Sequence, residues 1–68
     1  MNIGEGVKFL RNKSQMSQEE LANEVNVSQS MIAQIERGSK TLTIPLGLQI
    51  ADALSTTMEE LLKIAQNY

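Results

Sequence analysis

The side chains best suited to recognise another molecule are amides and hydroxyls that cluster between residues 28 and 37. When this stretch is projected onto a helix at about 100° per residue, the polar side chains fall on one side and Met31, Ile32 and Ile35 on the other. The polar side is almost free of acid and is short at its centre, where Ala33 stands. Such a face suits the DNA major groove, because glutamine can form two hydrogen bonds with an adenine edge and serine can donate or accept one. The residues predicted to contact bases are Gln29, Ser30 and Gln34.

A second group of polar residues flanks this stretch and is suited to bind phosphate. Gln18 lies at a predicted helix start, where free backbone N–H groups and the positive end of the helix dipole favour an anion. The loop after residue 37 is basic and rich in hydroxyls, and contacts of this kind position a protein on DNA without reading its sequence. The alternative for both groups is an ordinary solvated surface. The residues predicted to contact the DNA backbone are Gln18, Ser28, Arg37, Ser39, Lys40 and Thr41.

Two short helices joined by a sharp turn are predicted to position both groups. Ser17 and the glutamate three residues later form a capping box, and Ser28 opens the second helix. Only about three residues connect the two helices, which predicts a helix-turn-helix over residues 17–38. Ala22 leaves room for a steep crossing, and Asn26 tolerates a left-handed backbone at the turn.

Polar, small and apolar residues recur in this motif at a spacing that resembles the helix-turn-helix of the phage repressor/Cro-like (XRE) family: Gln18, Ala22, Asn26, Ile32 and Ile35. The resemblance extends over about residues 3–62. It implies an all-α fold, a compact five-helix repressor-like DNA-binding domain in which helices 2 and 3 form the motif. It also implies that double-stranded DNA is the partner and that Gln18 grips its backbone.

The resemblance further implies an ion pair inside the domain. An arginine at the position of Arg11 pairs in this family with a glutamate at the position of Glu36, which would fix the angle of the recognition helix. The alternative is that both residues are ordinary surface charges. Family members often carry glycine where Gln15 and Asn26 stand. Asn26 is a mild departure that still fits a turn, whereas Gln15 is not the expected residue for the end of the first helix.

Three further helices are predicted to complete the domain. The first covers residues 1–13. The fourth runs from Ile44 to Leu54 after a cap at Thr43, and the fifth runs from about Met58 to Ala65 after a second capping box that begins at Thr57.

Apolar side chains left outside the predicted core suggest a second copy as a partner. The inner face of the fourth helix is assigned to Ile44, Leu48, Ala51 and Leu54, with Ile50 beside it. The remaining apolar groups are either scattered surface residues, which are common, or part of a homodimer interface. Two helix-turn-helix units on a two-fold axis reach half-sites about 34 Å apart. The residues predicted for that interface are Leu46, Ala53, Ile64 and Tyr68.

Composition narrows the class of protein. The 68 residues allow one small domain over residues 1–68. Without cysteine or histidine, neither a disulfide nor a zinc site is expected, and no other metal, cofactor or small-molecule ligand is evident. A hydrophobic content of 41% with one Phe and one Tyr predicts an aliphatic, helix-packed core. No segment resembles a membrane span or a signal peptide, so we expect a cytoplasmic protein. The family resemblance implies a bacterial or phage origin.

Charge leaves two functions open. The net charge of −2 argues mildly against nucleic acid, because DNA affinity is driven by phosphate contacts. However, Glu36 is the only acid between Asn26 and Lys40. The leading hypothesis is a sequence-specific transcriptional regulator, a repressor that binds a palindromic operator as a homodimer. The alternative is a protein-interaction module of antitoxin or anti-repressor type. An enzyme is not expected, because no residue pattern supplies a nucleophile, a metal site or a phosphate loop.

Overall fold

Five α-helices and no strands make up the computed structural model, which describes all 68 residues. The helices are α1 (Ile3–Lys13), α2 (Gln18–Glu24), α3 (Gln29–Arg37), α4 (Ile44–Ala53) and α5 (Met58–Ala65). The all-α, five-helix fold predicted from the sequence is confirmed. No helix combines the length and the apolar character needed to cross a membrane.

Every helix begins at a side chain that accepts a hydrogen bond from the backbone N–H three residues later. The capping residues are Asn2, Ser17, Ser28, Thr43 and Thr57. Ser17 is part of the predicted capping box, since its own N–H donates to Glu20 Oε1 at 2.8 Å. The second predicted box is only half formed: Thr57 Oγ1 accepts from the Glu60 N–H at 3.1 Å, without the reciprocal bond. These caps satisfy backbone donors that the helix itself leaves free.

The first four helices end at a residue in the left-handed conformation. Asn26 has φ 59° and Gly38 has φ 83°, as their residue types predict, while Gln15 (φ 58°) and Ser55 (φ 56°) adopt the same geometry without being glycine. In each case the next N–H reaches back five residues, for example from Met16 to Arg11 O at 3.1 Å. This bond closes the helix end, so the glutamine at position 15 retains the turn at a conformational cost.

Each helix contributes one fully buried aliphatic side chain to the centre of the hydrophobic core. These are Val7, Leu21, Ile32, Ile50 and Leu61. Each stabilises the fold by about 1.5–3 kcal/mol relative to an exposed position. The aliphatic core expected from the composition is therefore present, and it is what holds α2 and α3 against the other three helices.

Gly4 allows α1 to approach the end of α3 more closely than any other residue would. A Cβ atom at this position would clash with the backbone carbonyl oxygen of Ile35 and lie 2.8 Å from that of Glu36. The two carbonyls belong to the backbone and cannot move aside easily, so glycine at position 4 is needed for this helix contact.

The predicted inner face of α4 is partly wrong. Ile44 is 72% exposed and Leu48 is 54% exposed, whereas Gly47 and Ile50 are buried. Nearly every position of α4 is apolar, so the pattern alone did not select one stripe. Packing against α5 selects it, because a Cβ at Gly47 would lie only 3.1 Å from the sulfur of Met58.

Candidate nucleic-acid interface

The α2–turn–α3 unit occupies residues 17–38, as the sequence predicts. Ala22 is buried at the contact of the two helices, and the left-handed Asn26 turns the chain between them. The N–H of Val27 then reaches back to Ala22 O at 3.0 Å and closes α2. Because Ser28 caps α3 directly afterwards, the connection between the two helices is short.

The predicted base-contacting residues lie on the outward side of α3. Gln29 and Ser30 are exposed in its first turn, and Gln34 is partly exposed one turn further along. Ala33 lies between them and is partly buried. The structure therefore presents two amides and a hydroxyl around a small side chain, an arrangement that can approach a groove closely and donate or accept hydrogen bonds there.

The predicted backbone-contacting residues surround that face. Gln18 is partly buried. The other five are exposed: Ser28, Arg37, Ser39, Lys40 and Thr41. The hydroxyl of Ser28 already accepts from the Met31 N–H at 3.0 Å, which leaves its own O–H free to donate. The backbone N–H groups of Ser39 and Lys40 both donate to Gln34 O, so this part of the loop folds back onto α3.

Arg11 and Glu36 form a buried ion pair behind the recognition face. Arg11 Nε lies 2.7 Å from Glu36 Oε2, and Arg11 Nη2 lies 3.0 Å from Glu36 Oε1. Arg11 Nη1 also donates to the backbone oxygen of Met16 at 2.8 Å. The guanidinium thus joins α1, the segment between α1 and α2, and the last turn of α3.

Gln18 continues this network toward the recognition face. Its Nε2 donates to Glu36 Oε1 at 3.0 Å, and its Oε1 lies 3.5 Å from Gln29 Nε2. Sequence reasoning assigned Gln18 only to phosphate and missed both contacts. They depend on the crossing angle of α2 and α3, and no spacing rule reveals which side chains that angle brings together.

Charge is distributed so that the α3 face is not acidic. Glu36 is the only acid of α3, and its carboxylate is neutralised by Arg11. Arg37 and Lys40 supply positive charge at the end of the helix. The exposed acids Glu19, Glu20 and Glu24 lie on α2.

The predicted interface residues are not brought together as one exposed patch. Leu46, Ala53 and Ile64 are partly buried and pack against the core, and only Tyr68 is strongly exposed, at 53%. The exposed apolar side chains of α4 are instead Ile44 and Leu48. No group of acidic, histidine or cysteine residues is placed to hold a metal ion.

Comparison with known proteins identifies the family. A family model described as a helix-turn-helix (HTH_3) matches residues 7–66. The restriction-modification controller protein C.AhdI from Aeromonas hydrophila is 30% identical, with a TM-score of 0.85 over 88% of this chain and 91% of that chain. SinR, a master regulator for biofilm formation solved in complex with DNA, is 28% identical, with a TM-score of 0.82 over 88% of this chain and 97% of that chain.

The fold is also shared at lower identity. The clp gene regulator ClgR from Corynebacterium glutamicum superimposes with a TM-score of 0.95 over 97% of this chain and 70% of that chain, at 24% identity. No curated protein sequence matches the chain significantly. The family match covers most of the described residues, and the resemblance drawn from the sequence is confirmed: the chain belongs to the XRE-type helix-turn-helix family (HTH_3), whose members are DNA-binding transcription regulators.

Proposed function

We propose that the chain is a sequence-specific transcription regulator that inserts α3 into the major groove of double-stranded DNA. The observation that carries this proposal is the outward face of α3, which presents Gln29, Ser30 and Gln34 while its single acid is neutralised from behind. An uncompensated carboxylate there would repel phosphate. The solved DNA complex of SinR supports the proposal from a related fold.

The surrounding residues would hold α3 in register on the duplex. Gln18, Ser28 and the 37–41 segment flank the proposed base contacts, and contacts to phosphate on both sides of a recognition helix fix its orientation. Gln18 is suited to this role because its amide is already held from Glu36.

A homodimer on a palindromic operator is the proposed working form, acting as a repressor by occupying the operator. The domain measures 26 × 24 × 21 Å between Cα atoms. To reach successive half-sites, two copies in side-to-side contact would have to set their α3 helices about 34 Å apart.

The outward face of α4 is the proposed contact between the two copies. Ile44 and Leu48 lie one turn apart on α4 and are the most exposed aliphatic side chains of the five helices. Ile44 follows the proposed DNA-contacting loop by three residues, so a two-fold contact there would lie next to that loop. Of the residues predicted from the sequence, Tyr68 remains exposed, while Leu46, Ala53 and Ile64 are partly buried against the core.

Selection of bound duplexes from a random pool tests the proposal. The wild type is expected to enrich a palindrome whose half-sites are about one helical turn apart. The triple variant Gln29→Ala, Ser30→Ala, Gln34→Ala is expected to lose base preference while its helical circular dichroism is unchanged. Unchanged preference in the folded triple variant would overturn the assignment of α3 as the reading helix.

A protein-interaction module remains the second candidate, favoured by one observation. Glu20 and Glu24 are exposed on α2, and the chain is net acidic. If no duplex were enriched at any salt concentration and a protein partner bound tightly, the protein-interaction module would be favoured over the DNA-binding regulator.

A further inference from the structure

We propose that Glu36 is a positioning residue for base recognition: held by Arg11, it fixes the direction in which the Gln29 amide points, and it does so through Gln18. This inference rests on the proposed function, in which Gln29 contacts a base. The observation beneath it is the unbroken row of polar contacts from the buried guanidinium to the outer face of α3.

The direction of the Gln18 amide follows from the kind of partner that it meets. A carboxylate only accepts hydrogen bonds. Glu36 Oε1 lies 3.0 Å from the Gln18 amide, so the amide must present its NH2 group to it. The carboxylate itself cannot turn, because Glu36 is only 6% exposed and both of its oxygens are bound by Arg11. The Gln18 carbonyl oxygen therefore points away from the ion pair.

The direction of the Gln29 amide follows from that of the Gln18 amide. Gln18 Oε1 can only accept, and its neighbour at 3.5 Å is the Gln29 Nε2 atom. Although this distance is at the outer limit of a hydrogen bond, the reversed arrangement would place two carbonyl oxygens against each other. Gln29 therefore directs its NH2 group toward Gln18 and keeps one N–H and its whole carbonyl oxygen for another partner.

A glutamine held in one direction reads a donor and an acceptor in one order only. Adenine offers an acceptor at N7 and a donor at N6, and glutamine binds both with its N–H and its carbonyl oxygen. A C·G pair offers the donor N4 and the acceptor O6 in the opposite order. An amide free to flip could satisfy either pair, whereas one anchored through Gln18 and Glu36 favours A·T over C·G at the position that Gln29 reads.

The decisive measurement is the ratio of affinities for duplexes with A·T and with C·G at that position. A bidentate contact gives roughly 5- to 150-fold discrimination. The double variant Arg11→Met, Glu36→Leu removes the anchor but keeps Gln18 and Gln29, and replacing a whole buried pair with apolar side chains preserves folding. We expect it to bind the selected duplex with discrimination reduced roughly tenfold.

Two single variants separate positioning from general binding. Gln18→Met removes the bond from Gln18 to Glu36 but keeps both bonds between Arg11 and Glu36. It is expected to lower the discrimination ratio as well as affinity. Lys40→Ala is the matched control, because loss of a phosphate contact weakens binding to all sequences alike and leaves the ratio as it was. If Gln18→Met lowered affinity equally for every base pair at that position, the proposal would be overturned.

A measurement without DNA distinguishes this proposal from the function on which it rests. In NMR spectra of the wild type, we expect a downfield-shifted side-chain amide proton of Gln18 from its bond to the carboxylate, absent from the double variant. An ordinary Gln18 signal in the wild type overturns the anchoring. A shifted signal in a protein without any base preference overturns the proposed function, and with it the role in recognition. Base preference that is identical in the wild type, in the double variant and in Gln18→Met overturns the positioning role alone.

Discussion

The Nε and Nη2 atoms of Arg11 donate to the two carboxylate oxygens of Glu36, at 2.7 and 3.0 Å, across 25 residues of sequence. Arg11 is 8% exposed and Glu36 is 6% exposed. The pair connects α1 to the end of α3 beside the place where Gly4 lets the two helices approach. The angle of the recognition helix is therefore set by a charge pair and a backbone contact together.

Breaking one partner of this ion pair is expected to destabilise the fold strongly. Arg11→Ala leaves the Glu36 carboxylate buried without its cation, which costs about 3–5 kcal/mol. Urea unfolding followed by circular dichroism measures the loss. The double variant Arg11→Met, Glu36→Leu should recover most of it, since no charge then remains buried. A double variant no more stable than Arg11→Ala would show that the packing around the pair, rather than its charge, is what matters.

Gln15→Gly is expected to stabilise the chain by about 1 kcal/mol. Gln15 has φ 58°, a conformation that costs most residues roughly 1–2 kcal/mol and glycine nothing. Ser14→Gly is the matched control, because the neighbouring Ser14 has φ −82° and glycine there only increases the freedom of the unfolded chain. Thermal unfolding should therefore shift upward for Gln15→Gly and downward for Ser14→Gly. Equal shifts in both variants would contradict the assignment of strain to Gln15.

Leu48→Asp is expected to separate the proposed dimer. The side chain is 54% exposed on α4, so a carboxylate there leaves the monomer folded but places like charges against each other across a two-fold contact. Sedimentation equilibrium measures the mass. Phe9→Asp on α1 is the control, since it changes an exposed apolar residue outside the proposed contact. Dissociation caused by both variants, or by neither, would exclude the α4 face as the interface.

Affinity for DNA is expected to fall roughly 100-fold when salt rises from about 50 to 200 mM. Each copy places two cations, Arg37 and Lys40, beside the proposed phosphate contacts, and each neutralised phosphate contributes about 0.9 to the slope of log affinity against log salt. Titration of the selected duplex across this range gives the slope. Lys40→Ala should make it shallower in proportion, and an unaltered slope would remove Lys40 from the phosphate contacts.

Local chemistry explains what the sequence could predict. The serine and threonine caps of α2 to α5, the turn at Asn26 and the helix end at Gly38 depend on residues within a few positions of each other. The helix-turn-helix follows from these local signals, and so does the exposed polar face of α3.

Long-range packing explains what the sequence could not predict. The inward face of α4 is decided by the contact of Gly47 with Met58 on another helix, which no apolar pattern within α4 contains. The bond from Gln18 to Glu36 likewise requires the crossing of α2 and α3. The family resemblance implied the pairing of Arg11 with Glu36, but it did not extend to Gln18, whose amide could equally have faced solvent.

The most direct test of whether α3 contacts bases in the major groove replaces each adenine of the selected half-site in turn with 7-deazaadenine. The affinity for each modified duplex is then measured. This base lacks only the N7 acceptor, so a glutamine donor loses its partner and binding weakens about 5- to 10-fold. We expect one position to show this loss with the wild type and no loss with Gln29→Ala, in which the donor is already absent. Wild-type affinity that is unchanged at every adenine, or a loss equally large in Gln29→Ala, would contradict base reading by Gln29 in the major groove.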